Sequence, residues 1–325
     1  MRAKLSVAAL ALSVLAVSLL ADAVELQPSR AISSLREPPR LVAPDKAPVI
    51  AAALAGKRIV AVGDYGIAIL SDDGKAFRQA KAMPTRAVLT SIFFLDDKRG
   101  WAAGHDGTIV TTADAGETWQ LQREEPGKER VLLSLWFENA LHGIAVGQFG
   151  LVLETDDGGK TWRERRLVDA VEQGEKHLMQ IFAGPNGLVL VAAESGSIFR
   201  SDDAGRNWTA IQTDNKGSFW IGLVLQDGSI LAAGMRGHVY RSTDRGLTWR
   251  EAPNDSKQSF TAVLQRDDGQ VVLYGSSGVV LSSKDHGWTW HATVRADRAN
   301  ITAAVAGPGG DVLFTLSGVL AAKSP

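Results

Sequence analysis

The chain has 325 residues, with 35 Lys or Arg against 36 Asp or Glu and no cysteine. A formal net charge of −1 excludes bulk attraction to nucleic acid or anionic lipid, and the lack of cysteine excludes a disulfide framework and a lipid-modified N-terminal cysteine. The length suits one large domain or two ordinary ones.

Arg2 and Lys4 precede an apolar run from Leu5 to Leu20, and Ala21-Asp22-Ala23 supplies a small-x-small cleavage pattern. Residues 1–23 therefore read as a secretory signal peptide, and no other segment is apolar and long enough to span a membrane. Cleavage leaves a net charge of −2 and no stable membrane anchor, because it removes Arg2, Lys4 and Asp22. The expected product is exported, to a periplasm or, in a photosynthetic source, a thylakoid lumen. Residues 24–47 form an N-terminal segment, and residues 48–325 carry a repeat.

That repeat is marked by an eight-residue pattern, S/T-x-D-x-G-x-T/N-W, the Asp box. It reads without error at Thr112 to Trp119, Thr155 to Trp162, Ser201 to Trp208, Ser242 to Trp249 and Ser283 to Trp290. A degenerate first copy keeps Asp72 and Gly74 but ends in Ala76 and Phe77. The closing aromatics at 77, 119, 162, 208, 249 and 290 are 42, 43, 46, 41 and 41 residues apart. Such a period is that of four-stranded propeller blades.

A second marker counts the blades independently. Gly66, Gly107, Gly150, Gly196, Gly237, Gly278 and Gly318 each end a tight turn between the second and third strands. Seven glycines predict an all-β, seven-bladed propeller, with blades near 48–86, 87–129, 130–175, 176–217, 218–258, 259–298 and 299–325. The seventh unit has no box and no fourth strand before Pro325. An N-terminal strand near Arg36 to Val42, or else Ala31 to Leu35, is expected to complete it and close the ring. Truncating the first mature residues should then unfold the protein.

In the turn between the third and fourth strands, the box aspartates Asp72, Asp114, Asp157, Asp203, Asp244 and Asp285 are suited to accept backbone N–H bonds. The glycine permits the bend, and the tryptophan can anchor between blades. The role read for them is structural. Asp156-Asp157-Gly158-Gly159 lacks the ligand alternation and distant Glu of a calcium loop, so neither metal nor cofactor is expected.

Function is expected on the opposite face, where the turns between second and third strands meet the connections between blades. A basic residue stands two or three places before every first strand: Lys46, Arg86, Arg130, Lys176, Lys216, Lys257 and Arg298. These predict a positive ring at the channel mouth, suited to an acidic partner surface or a small anion. Secondary rim candidates are Tyr65, His105, Asp106, Phe149, Glu194 and Arg236. Phe219 and Trp220 read as core residues.

Catalytic signals are sparse. The six histidines have no metal-ligand spacing, and there is no nucleophile elbow or phosphate-binding glycine loop. Asp boxes also occur in sialidases, so a sialidase-type glycoside hydrolase is the alternative, with Tyr65 the one tyrosine in a channel-mouth loop.

Gly63-Asp64-Tyr65-Gly66, Gly100-Trp101-Ala102-Ala103-Gly104-His105-Asp106-Gly107 and the box Thr155 to Trp162 together resemble the photosystem II assembly and stability factor family of exported seven-bladed propellers. The likeness covers about residues 47 to 322. It implies a non-enzymatic, monomeric, protein-binding factor for a membrane-protein complex, using an arginine-rich patch. In non-photosynthetic bacteria it implies an accessory of RND-type transporters.

Overall fold

Apolar runs of four to seven residues, separated by Gly, Asp and Asn turns, build every sheet of this protein. The computed structural model describes residues 36–169 and 174–321, so the signal peptide expected over residues 1–23 lies outside the described residues. Blade one holds β1 (Val49–Ala55), β2 (Arg58–Gly63), β3 (Ala68–Ser71) and β4 (Arg78–Gln79). Blade two holds β5 (Leu89–Phe94), β6 (Gly100–Gly104), β7 (Ile109–Thr112) and β8 (Gln120–Arg123). Blade three holds β9 (Leu132–Phe137), β10 (Gly143–Gly147), β11 (Val152–Thr155) and β12 (Arg163–Arg165). Blade four follows with β13 (Leu178–Ala183), β14 (Val189–Ala193), β15 (Ser197–Ser201) and β16 (Thr209–Gln212). Blade five has β17 (Phe219–Val224), β18 (Ile230–Gly234), β19 (Val239–Ser242) and β20 (Arg250–Glu251). Blade six has β21 (Phe260–Gln265), β22 (Val271–Gly275), β23 (Val279–Ser283) and β24 (His291–Val294), and blade seven β25 (Ala303–Gly307), β26 (Gly310–Thr315) and β27 (Gly318–Ala321).

Each sheet is an antiparallel meander in chain order. Second strands such as β14, Val-Leu-Val-Ala-Ala, are buried along their whole length, because neighbouring blades cover both faces. The first strand of each blade packs against the first strand of the next, and β25 packs against β1, so the ring is closed. A β-bulge near the start of β5 and β21 re-aims Thr90 and Thr261. Their hydroxyls donate to the Leu132 and Ile301 carbonyls of the following blade. Thr302 donates in the same way to Val49 O, 2.7 Å away, across the seam between blades seven and one.

The seventh sheet has three strands among the described residues, and the stretch Arg36 to Val42 is not its fourth. That stretch lies instead along blade one. Arg40 donates to the Ala80 and Lys81 carbonyls, Leu41 N donates to Gln79 Oε1, and Gln79 Nε2 returns a bond to Pro39 O. Two adjoining prolines deprive this stretch of ladder donors, which suits it to a strap held by side chains. The alternative closing stretch, Ala31 to Leu35, lies outside the described residues. A hydrophobic cluster shared by blades seven and one, including Ile59, Ile69, Val312 and Phe314, seals the seam without an added strand.

The boxes face inward on themselves and backward on the preceding blade. Asp114 Oδ1 accepts from the Thr112 hydroxyl at 2.8 Å and from Thr118 N at 2.9 Å, while Oδ2 accepts from the Thr118 hydroxyl at 2.6 Å. Asp157, Asp203, Asp244 and Asp285 repeat this set. The first box departs from the expectation for Asp72. Ser71, Lys75 N and Ala76 N bond Asp73, and Asp72 instead pairs with Arg58 at 2.6 Å. A one-residue deletion between aspartate and glycine moves the role onto Asp73.

Each box glycine presses on the blade before it. The space a β-carbon would need is taken by Val312 at Gly74, Val60 at Gly116, Gln122 at Gly159, Ile144 at Gly205, Leu190 at Gly246 and Leu231 at Gly287. Side chains of the preceding blade also grip the box turns: Gln122 donates to Gly158 O, Arg165 to Arg206 O, Arg200 to Arg245 O and Arg241 to His286 O. The box tryptophan then enters the cluster between the two blades, as Trp119 does beside Val60, Val62 and Leu70.

Candidate functional site

The face opposite the boxes is organised by the seven turn glycines. A β-carbon on Gly66, whose φ is +66°, would lie 2.1 Å from Thr85 O and 3.2 Å from Arg86 Cα. The connection to the next blade therefore rests directly on this turn. Gly107 N donates to Arg130 O and Gly150 N to Lys176 O, while the Gly196 turn lies against Asn215 and Gly217, on either side of Lys216. Gly237 abuts Lys257 Cα, Gly278 abuts Arg298 Cα and Gly318 abuts Lys46 Cα. All seven basic positions are thus equivalent by contact, the last of them across the ring closure.

Their environments differ. Lys216, Lys257 and Arg298 are exposed and make no ion pair among the described residues. Lys46 lies 3.6 Å from the neighbouring Asp45, and Arg86 Nε donates to Glu37 O of the N-terminal strap. Arg130 is engaged by Glu164 at 2.7 Å and Glu125 at 3.7 Å, and the Glu164 hydrogen bond raises its pKa further. Glu125 is held below the usual carboxylate range, chiefly by its bond to Arg123. Lys176 lends its carbonyl to Gly150.

The rim candidates Tyr65, Asp106, Phe149 and Arg236 share a left-handed backbone, with φ between +53° and +57°. This conformation projects Tyr65 and Phe149 into solvent, 57% and 66% exposed. His105 is exposed beside Asp106, and Glu194 is half-buried in the equivalent turn of blade four. Phe219 is fully buried and Trp220 half-buried in the core.

One residue absent from the sequence-based candidates ties two turns together. His177 Nδ1 accepts from Phe149 N at 3.1 Å, its ring stands edge-on to Phe149, and its own N–H donates to Glu194 Oε2 at 2.8 Å. Accepting at Nδ1 fixes a neutral imidazole with its proton on Nε2. Its place directly after Lys176 was the available signal.

Beside this bridge is a cleft of about 270 Å³ lined by Lys128, Glu129, Arg130, Phe149, Glu164 and Arg166, among others. Its size and mixture of cationic groups with one exposed ring suit a side chain or chain terminus of a protein ligand. Among the described residues, no group of three or more His, Cys, Asp or Glu could hold a metal ion. No helix of the described residues is long and apolar enough to cross a membrane.

Comparison with known proteins agrees with this architecture. The family model for "Photosynthesis system II assembly factor YCF48" matches residues 70–262, more than half of the chain. No curated protein matches the sequence. Among solved structures, YCF48 bound to D1 peptide is similar with a TM-score of 0.67 at 17% identity, covering 85% of this chain and 93% of that one. YCF48 from Cyanidioschyzon merolae is similar with a TM-score of 0.64 at 15% identity, covering 87% and 96%. The GH74 enzyme of Niastella koreensis shares the fold at 14% identity and a TM-score of 0.66, covering 86% of this chain and 53% of the enzyme.

Proposed function

The chain belongs to the photosystem II assembly factor YCF48 family, and from that premise we propose that it is an exported, non-enzymatic propeller that docks a subunit of a membrane-protein complex. The observation that carries this reading is the row of seven equivalent basic positions, each backed by a turn glycine. Rigid backing keeps cationic side chains aimed outward from one face, as recognition of an acidic surface requires. The cleft beside Phe149 adds an aromatic contact to that face. A relative solved with a D1 peptide supports a polypeptide as the ligand class. In a photosynthetic source the partner is a photosystem II subunit. In another bacterium it is a membrane transporter assembly.

The test is capture of the partner from detergent-solubilised membranes. Converting Lys216, Lys257 and Arg298 together to Glu should abolish capture without changing the melting temperature, whereas undiminished capture overturns the reading. Incubation with fluorogenic sialosides should give no turnover. Hydrolysis that disappears in Tyr65→Phe would place the chain among glycosidases instead.

A further inference from the structure

Six of the seven clusters between adjacent blades contain a box aromatic: Phe77, Trp119, Trp162, Trp208, Trp249 or Trp290. The cluster between blades six and seven contains none. Its outer part is made by Leu264, Val280 and Leu320, all only half-buried. A polar substitute ties these blades nearby, where buried Asp311 accepts from Arg266 and from the Tyr274 hydroxyl. Asp311 does not fill the apolar slot that a box tryptophan occupies elsewhere.

The adjoining strand edge is open as well. In blades one to six the third strand pairs with a fourth, and those outer strands are polar, as in Arg78-Gln79, Arg163-Glu164-Arg165 and Arg250-Glu251. Blade seven ends at β27, Gly-Val-Leu-Ala, with no strand on its outer side among the described residues. Val319 and Leu320 remain half-buried, whereas β3, β11 and β19 are buried throughout. No charge or proline protects this edge against pairing.

We propose that the edge of β27 and the slot between blades six and seven accept an extended segment of another polypeptide, anchored by an aromatic side chain. The segment adds as an antiparallel fourth strand, and its ring enters the slot as the box tryptophans enter theirs. The site is the unfilled continuation of the interface between blades six and seven. This chain's own segments outside the described residues, 1–35, 170–173 and 322–325, contain no aromatic residue. A second copy does not fit either, because the exposed aromatics Tyr65, Phe149 and Trp288 stand in turns, away from any strand. This surface is separate from the basic face, so the proposal stands independently of the function proposed above.

The probe is a fluorescent synthetic peptide with the sequence of residues 112–123, a box with its outer strand. It should bind the mature protein and protect the amides of residues 318–321 from hydrogen exchange. Replacing the peptide's tryptophan by alanine, or Leu320→Arg in the protein, should weaken binding at least about tenfold. Exchange on the wild-type protein keeps the test valid if the variant folds poorly. Absence of binding overturns the proposal, as does binding without protection of 318–321. Protection already present in the free protein and lost on deleting residues 24–35 overturns it too, because the chain would then cover its own edge. Concentration-dependent protection without peptide would assign the edge to a second copy and likewise overturn it.

Discussion

The Thr302 hydroxyl donates to the Val49 carbonyl at 2.7 Å, joining residues 253 positions apart in sequence. Ring closure therefore uses the same threonine clasp that Thr90 and Thr261 provide between consecutive blades. Thr302→Val keeps the shape but leaves the carbonyl unpaired. The expected cost is about 1–3 kcal/mol in urea unfolding, and an unchanged midpoint would deny the clasp any part in closure.

The first box separates two adjacent aspartates. Asp73 accepts from two backbone N–H groups and the Ser71 hydroxyl, which hold its carboxyl below the usual range. Asp72 makes an exposed pair with Arg58, of a kind worth little. Asp73→Ala should lower the melting temperature clearly, and Asp72→Ala should leave it nearly unchanged. The reverse order would return the role to Asp72.

Buried His142 links blades three and four in a pH-dependent way. Its Nε2 lies 3.1 Å from Glu154 and its Nδ1 3.2 Å from Glu138; Arg163 and Arg165 hold Glu154, and Arg206 holds Glu138. The bond to Glu154 raises the histidine pKa above 6.5 against the opposing effect of burial. Glu154 is pushed upward by burial, but its bonds to His142 and Arg163 prevail and hold it at about 2. A raised folded pKa gives stability that is complete below the unfolded value and lost as pH rises through the folded one. Urea midpoints should therefore fall between about pH 6 and about pH 8.5, with a smaller fall in His142→Gln.

Phe149 is two-thirds exposed, so its removal should not affect stability. If the cleft receives the partner, Phe149→Ala weakens capture from solubilised membranes about tenfold with unchanged melting. Arg166→Glu should act in the same direction, since Arg166 lines the same cleft and makes no ion pair among the described residues.

The blade count was legible because two unrelated requirements recur with one period: a left-handed glycine at one end and a polar turn with an aromatic anchor at the other. Equivalence of Lys46 to Arg298 was legible too, since loop lengths before the first strands vary little. Neutralisation of Arg130 was not, because Glu125 and Glu164 reach it from different segments. The Asp73 assignment was hidden by a single deletion that preserved an acidic pair. The path of residues 36–42 was hidden because strap and outer strand share extended, proline-tolerant backbone. Bulge threonines carry no spacing signal, as their partners are carbonyls.

The backward grip of each box on the preceding blade gives the ring a direction. Every seam from one–two to five–six has a box glycine and a gripping side chain or aromatic wedge, and the seam from seven to one has Gly74. Blade six receives no such wedge, since blade seven has no box. A closed ring must break somewhere before it can unfold, and its lifetime is set by the seam that parts first. Blades six and seven are the fault line from which this molecule opens.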